Sequence, residues 1–301
     1  MEQQTQGRRA IARARRRAAL GRGWRQFRRH RAGMVGLGVL IFFALVALLA
    51  PVLFPPETIS VTRATGELMA PPSAGYWLGT DDSGRSMTAL LAWGARVSLT
   101  VGIAATLISM LIGTSVGVAS GHYRGWGGAA LERLTDWFLV IPFLPLAIVL
   151  ATVLGGGSIL TIIVVIGVTS WAGTARLIRA QTLAVEGRPY LERSRALGSG
   201  NWHQMTRHVL PNVFPLVLAN TTLTVAIAIL SETTLSFLGL GDPLRPSWGS
   251  TLDAAFSNGA VSAGAWWYIG PPGLCVVLVV LSFTMIGRAL EQIVNPRLGS
   301  G

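Results

Sequence analysis

The chain has 301 residues, 51% of them hydrophobic and only 13% charged, with a mean hydropathy of +0.52. That is more apolar side chain than a water-soluble domain can hide, so composition places it among integral membrane proteins. Its net charge of +12 comes from arginine alone, since no lysine occurs; this excludes both the lysine-dependent phosphate loop of an ATPase and Schiff-base catalysis.

Arginines recur from Arg8 to Arg31, interleaved with Trp24 and Phe27. Beside a membrane span such a tail (residues 1–32) is expected to lie as an interfacial helix on anionic lipid headgroups, at about 1 kcal/mol per arginine, and not to bind nucleic acid. Six apolar runs follow, at about 33–53, 97–120, 134–154, 159–175, 213–238 and 268–286. Each is near the ~20 residues that a helix needs to cross a ~30 Å hydrocarbon core. The expected fold is therefore all-α, a polytopic membrane protein with six transmembrane helices in residues 33–301. The first run starts late and leads into proline-rich sequence without a small-x-small cleavage pattern, so it reads as a span and not as a cleavable signal. Pro142 and Pro145 are expected to bend the third span or move its start. The Gly155-Gly156-Gly157 turn makes the third and fourth spans antiparallel neighbours.

Orientation follows from the arginines, because basic loops stay in the cytoplasm. With the amino terminus inside, only Arg63, Arg85, Arg96 and Arg245 of the 25 basic residues fall outside. Both termini, including a tail at 288–301, are then cytoplasmic, and 54–95 and 239–267 are external loops. In the first of these, Asp81-Asp82-Ser83-Gly84-Arg85 has strong turn chemistry. Trp248, Trp266, Trp267 and Tyr268 read as an interfacial aromatic belt. Asp136 is expected to pair with Arg133 three residues back. Glu232 either faces an outer vestibule or caps the bend after the fifth span. The four histidines lack metal spacing, with His203 and His208 five apart and divergent on an α-helix. No cluster has catalytic spacing, so neither an enzymatic role nor a cofactor or metal is expected. No internal repeat is visible, so a second chain would be needed to enclose a pathway between repeats.

The remaining segment, 176–212, is a polar, arginine-bearing island between two apolar runs. Pro189 can open a helix, Tyr190–Leu197 are good helix formers, and Gly198 and Gly200 are placed to end it. A second piece, Trp202–Leu210, is expected to stop before Pro211. Tyr190, Leu191, Ser194 and Leu197 make a stripe that suits a groove on a partner. Glu192, Arg193 and Arg195 flank it as charged hydrogen-bonding groups. Composition alone leaves a second reading open, in which the helix merely covers the ends of the spans.

Glu192, Gly198 and Leu210-Pro211 stand at the separations of the EAA loop of ABC-importer permeases, which the segment resembles. Arg193 and Ser194 depart from the two alanines of that pattern and His208 from its isoleucine, while Arg207–Asn212 (RHVLPN) is similar to the peptide-importer branch. The resemblance extends along the chain through LGTDDSGRS at 78–86, WGARVSL at 93–99, LSFLGLG at 235–241, PSWG at 246–249 and WWYIGPPG at 266–273, which look like the second permease subunit of peptide importers. It implies a type I importer fold with cytoplasmic coupling helices, in the plasma (inner) membrane. It further implies a homologous second permease subunit, two cytoplasmic ABC ATPase subunits and an extracytoplasmic substrate-binding protein as partners. ATPase coupling would fall to Tyr190, Leu191, Glu192, Arg193, Ser194, Leu197, Gly198, Leu210 and Pro211. Cargo would be dipeptides or oligopeptides, with nickel chelates, glutathione or haem as alternatives within the family and a self-sufficient secondary transporter as the alternative outside it.

Overall fold

In the computed structural model, which describes residue 21 and residues 24–294, the chain is a bundle of helices whose only β feature among the described residues is an isolated bridge between Thr80 and Ser86. Helix α1 (Arg31–Leu53) is apolar throughout and gives out just before Pro55-Pro56. Two 3₁₀ turns, Pro56–Ile59 and Val61–Arg63, and an irregular segment lead to α2 (Met87–His122). At 36 residues α2 is about 54 Å long, more than a hydrocarbon core requires, and it starts well before the apolar run that marked it.

The third span is broken. Helices α3 (Trp126–Val140) and α4 (Phe143–Val153) meet at 93°. Ile141 is extended (φ −72°, ψ 123°), as a residue before proline prefers, and Pro142 caps α4 while Pro145 sits in its first turn, where a missing N–H costs nothing. Helices α5 (Ile159–Thr169) and α6 (Trp171–Glu186) run almost end to end, so residues 176–186 belong to a span and the polar segment proper begins at Gly187. It holds α7 (Pro189–Ala196), the short α8 (Asn201–Gln204) and a π-helical turn, Met205–Val209, that opens into α9 (Leu210–Leu235). A second π turn (Ser236–Leu240), α10 (Trp248–Ser257) and α11 (Trp266–Val294) complete the described chain. Among the described residues, five helices or helix runs are long and apolar enough to cross a membrane, and the bent α3–α4 pair, taken as one span, makes six.

Helix α2 is the hub, packed against α1, α5, α6 and α9. Its glycines set the spacing. A β-carbon at Gly113 would lie 2.7 Å from the Trp171 carbonyl oxygen, one at Gly117 2.7 Å from that of Ala175, and one at Gly121 2.7 Å from Thr182 Cβ. These positions repeat every four residues on one face, so α6 can approach α2 backbone to backbone, the contact that membrane helices use where hydrophobic driving force is lacking. Gly102 does the same for α9, where a β-carbon would meet Ile229 at 2.4 Å.

Several expectations change in the folded chain. Asp136 pairs with Arg176 of α6 at 3.0 Å, not with Arg133, and Glu132 pairs with Arg179 at 2.8 Å, so the charges link α3 to α6 across the bundle. Trp248 and Tyr268 are fully buried, and Trp267 nearly so; only Trp266 is exposed as a belt residue would be. Trp248 donates its indole N–H to the Leu91 carbonyl at 3.0 Å, and Tyr268 donates its hydroxyl to Asp82, so both anchor outer segments to the bundle. The expected turn forms: Asp81 Oδ1 accepts from the Ser83 and Arg85 amides, its Oδ2 pairs with Arg85 at 2.7 Å, and Gly84 takes φ +77°. Glu232 is buried and accepts from Ser236 at 2.8 Å, which selects the bend-capping reading. Phe27 is buried beside Gly33 and Ala289 instead of facing headgroups, while residues 1–20, 22 and 23 of the basic tail and 295–301 of the carboxyl tail lie outside the described residues.

Gly117→Val forces a side chain onto the Ala175 backbone, which cannot swing away as a side chain could; a loss of about 1–3 kcal/mol is expected. Gly38→Val in α1, where no atom lies within 4 Å of the added carbon, is the matched control. Thermal unfolding in detergent checks this: a clearly lower midpoint is expected for Gly117→Val only.

Candidate coupling surface

Between α6 and α9 the chain leaves the bundle and returns within residues 187–210. Pro189 starts α7 at its first turn, as its fixed φ allows. The helix ends in a Schellman motif: Gly198 adopts φ +80°, its N–H donates to the Arg195 carbonyl at 2.9 Å, and the Ser199 N–H donates to the Ser194 carbonyl at 3.1 Å. The glycine break expected between the two helical pieces is therefore present, and open space around Gly198 means that backbone conformation alone requires a glycine there.

The stripe expected on α7 divides. Leu191 is fully buried, seated among Met110 and Val118 of α2, Ile178 and Val185 of α6, and Met205, Val209 and Val213. Ser194 also turns inward, bonding Ser199 Oγ at 2.7 Å and lying 3.4 Å from His208 Nε2. Tyr190 is at the edge, its hydroxyl accepting from Asn212 at 3.2 Å. Leu197 is 88% exposed and Glu192 and Arg193 are exposed beside it. Leu191 and Ser194 thus fasten α7 to the bundle, and the outward face consists of Tyr190, Glu192, Arg193 and Leu197, continued by Trp202, 76% exposed, on α8. Sequence spacing could not separate the two faces, because Leu191 and Leu197 are alike as residue types and differ only in what packs over them.

The second piece does not stop before Pro211. Helix geometry runs from Asn201 into α9, and the change is absorbed in the π turn, where the Leu210 N–H reaches back to the Met205 carbonyl. A wider turn relieves the clash that a proline ring otherwise makes with the carbonyl four residues earlier. Leu210 and Pro211 are exposed at the mouth of this turn. The same widening brings i and i+5 side by side, so His203 and His208, expected to diverge, meet edge to face with centroids 5.7 Å apart.

Sequence reasoning missed a polar cluster behind this surface. His122 at the end of α2, Glu186 at the end of α6, Arg195 of α7 and Gln204 of α8 converge although they are spread over 82 residues of sequence numbering, from 122 to 204. The sequence carried no signal for it, because Glu186 lies past the apolar run at 159–175 and reads as part of the polar segment.

Comparison with known proteins follows the same lines. Residues 113–300 match the family described as "Binding-protein-dependent transport system inner membrane component", and residues 19–72 match "N-terminal TM domain of oligopeptide transport permease C". The chain is 34% identical over 276 residues to the dipeptide transport system permease protein DppC of Bacillus subtilis (strain 168), covering 91% of this chain and 85% of the relative. It is 33% identical over 279 residues to the glutathione transport system permease protein GsiD of Pectobacterium atrosepticum, covering 92% and 91% respectively. With the oligopeptide transport system permease protein OppC of Bacillus subtilis (strain 168) it shares 33% identity over 274 residues, covering 91% and 88%. A lysine-free helical bundle with a glycine-broken loop at the Glu192–Pro211 spacing, matched along most of its length, belongs to the family of inner membrane components of binding-protein-dependent transport systems.

Proposed function

We propose that this chain is one permease half of an ATP-driven peptide importer, and that α7, with the turn into α9, is the surface through which ATPase subunits drive it. The cargo class rests on the relatives, whose names are those of dipeptide, oligopeptide and glutathione systems at 33–34% identity. The arginine distribution supports an orientation with both termini and the α7 segment in the cytoplasm. A second permease completes the path: α2, although packed on its other sides, keeps Ile103, Leu107 and Leu111 exposed along one face. An external binding protein meets the opposite end, where the outer segments are anchored through Trp248 and Tyr268.

The observation that carries the docking assignment is the outward face of α7. Leu197 and Trp202 stand almost fully exposed on a segment expected to lie in water, and neither Glu192 nor Arg193 makes an ion pair among the described residues. Exposed apolar side chains rimmed by unpaired charges fit a protein contact. The residues named for it are Tyr190, Glu192, Arg193, Leu197, Leu210 and Pro211, with Leu191, Ser194 and Gly198 holding the shape.

Glu192→Arg is expected to release the ATPases, or to abolish ATP-driven uptake, while the spans stay folded; undiminished uptake in membrane vesicles overturns the assignment. Leu191→Ala and Leu197→Ala separate shape from contact. The first empties a buried seat and is expected to cost about 2–5 kcal/mol of stability, read as a lower melting temperature. The second leaves the melting temperature unchanged and weakens ATPase retention during purification.

A further inference from the structure

The docking segment is held to the bundle in two ways, and one of them has direction. The seat of Leu191 is apolar and tolerates rocking, since dispersion contacts carry no angular preference. Beside it His122 Nδ1 lies 2.6 Å from Glu186 Oε1, with only 1% and 7% of the two side chains exposed. A carboxylate only accepts, so Nδ1 carries the hydrogen. The other Glu186 oxygen accepts from Arg195 Nη2 of α7. Arg195 Nε donates to Gln204 Oε1 at 3.1 Å, and Gln204 Nε2 donates to the Ser199 carbonyl at 2.6 Å. Asn201 Oδ1, which can only accept, lies 3.3 Å from His122 Nε2. Because Asn201 and Gln204 share α8, the contacts close into a ring through α2, α6, α7 and α8.

The geometry points to Glu186 as a positioning residue that locks the α7 docking segment to the inner ends of α2 and α6, so that the loop and these two helices turn as one body when the ATPases move. This rests on the docking reading above. Charge-assisted hydrogen bonds in a ring whose His122 and Glu186 are buried resist bending at each joint, and Glu186 joins the span side, through His122, to the loop side, through Arg195. Its contribution is therefore coupling between a cytoplasmic event and the spans, which by linkage must run equally in reverse.

The test uses the complete assembly, with both permeases, ATPases and the cognate binding protein, in proteoliposomes. ATP hydrolysis is measured with and without binding protein, whose stimulation travels from the outer face to the ATPases. Glu186→Gln keeps the shape of the side chain and removes its charge. It is expected to retain bound ATPases and basal hydrolysis, while stimulation by binding protein falls about tenfold. Should that variant fail to accumulate in the membrane, His122→Phe, which breaks the α2 side of the ring, is expected to lose stimulation to the same degree. In the double variant the loss should not exceed that of either single change, because both cut one link. Full stimulation in Glu186→Gln or His122→Phe overturns the proposal. Glu192→Arg separates the two ideas: if it releases the ATPases while the ring variants respond normally, docking stands and the ring is only a brace; if it keeps them bound and active, the docking reading itself fails.

Discussion

The close approach of α2 and α6 is the constraint on which the rest of the molecule depends. Gly113, Gly117 and Gly121 leave nothing between the two backbones, and the carbonyls of Trp171 and Ala175 fill the space that side chains would take. In lipid, where burying apolar surface gains little, such shape matching is a main source of helix association. It also fixes rotation, since only one face of α2 carries glycine at that period. The ends of both helices that carry His122 and Glu186 are thereby delivered to the same place, so the two residues can meet.

Everything on the polar side follows from that meeting. The paired ends of α2 and α6 form the socket for Leu191, and the Schellman turn at Gly198 ends α7 before the chain enters α8 and α9. The π turn then inserts one extra residue per turn, which accommodates Pro211 and rotates His208 toward Tyr190 and Ser194. A polar segment short of core-forming residues is thus ordered by a few contacts, and several of its remaining side chains stay exposed. The opposite end is built on the same economy: Trp248, Trp267 and Tyr268 carry their polar atoms to Leu91, Thr80 and Asp82 and tie irregular segments to the spans.

Much of the candidate site was legible before folding was considered. The glycine that ends α7 needed only the rule that a left-handed residue closes a helix, and the spacing from Glu192 to Pro211 needed only the string itself. What escaped was the direction of each side chain. Leu191 and Leu197 are the same residue six positions apart, yet one is sealed and the other open. Asp136 had a basic neighbour one turn away and instead found Arg176 on another helix. The aromatic residues at 248, 267 and 268 had a composition suited to a membrane interface and proved to be core.

The amino-acid sequence by itself determined that this chain crosses a membrane several times, that it carries no lysine for a standard ATP-binding loop, and that a polar segment ending near Pro211 separates two of its apolar runs. These are consequences of composition, apolar run length and local backbone preference, none of which requires knowing what is next to what. Only the tertiary structure decided which face of α7 is anchored, which charges pair, how sharply the third span breaks and how a histidine and a glutamate from different spans join the polar loop. Those outcomes depend on distances between residues far apart in sequence, and in this protein the distances are set by how closely two glycine-bearing backbones can pack.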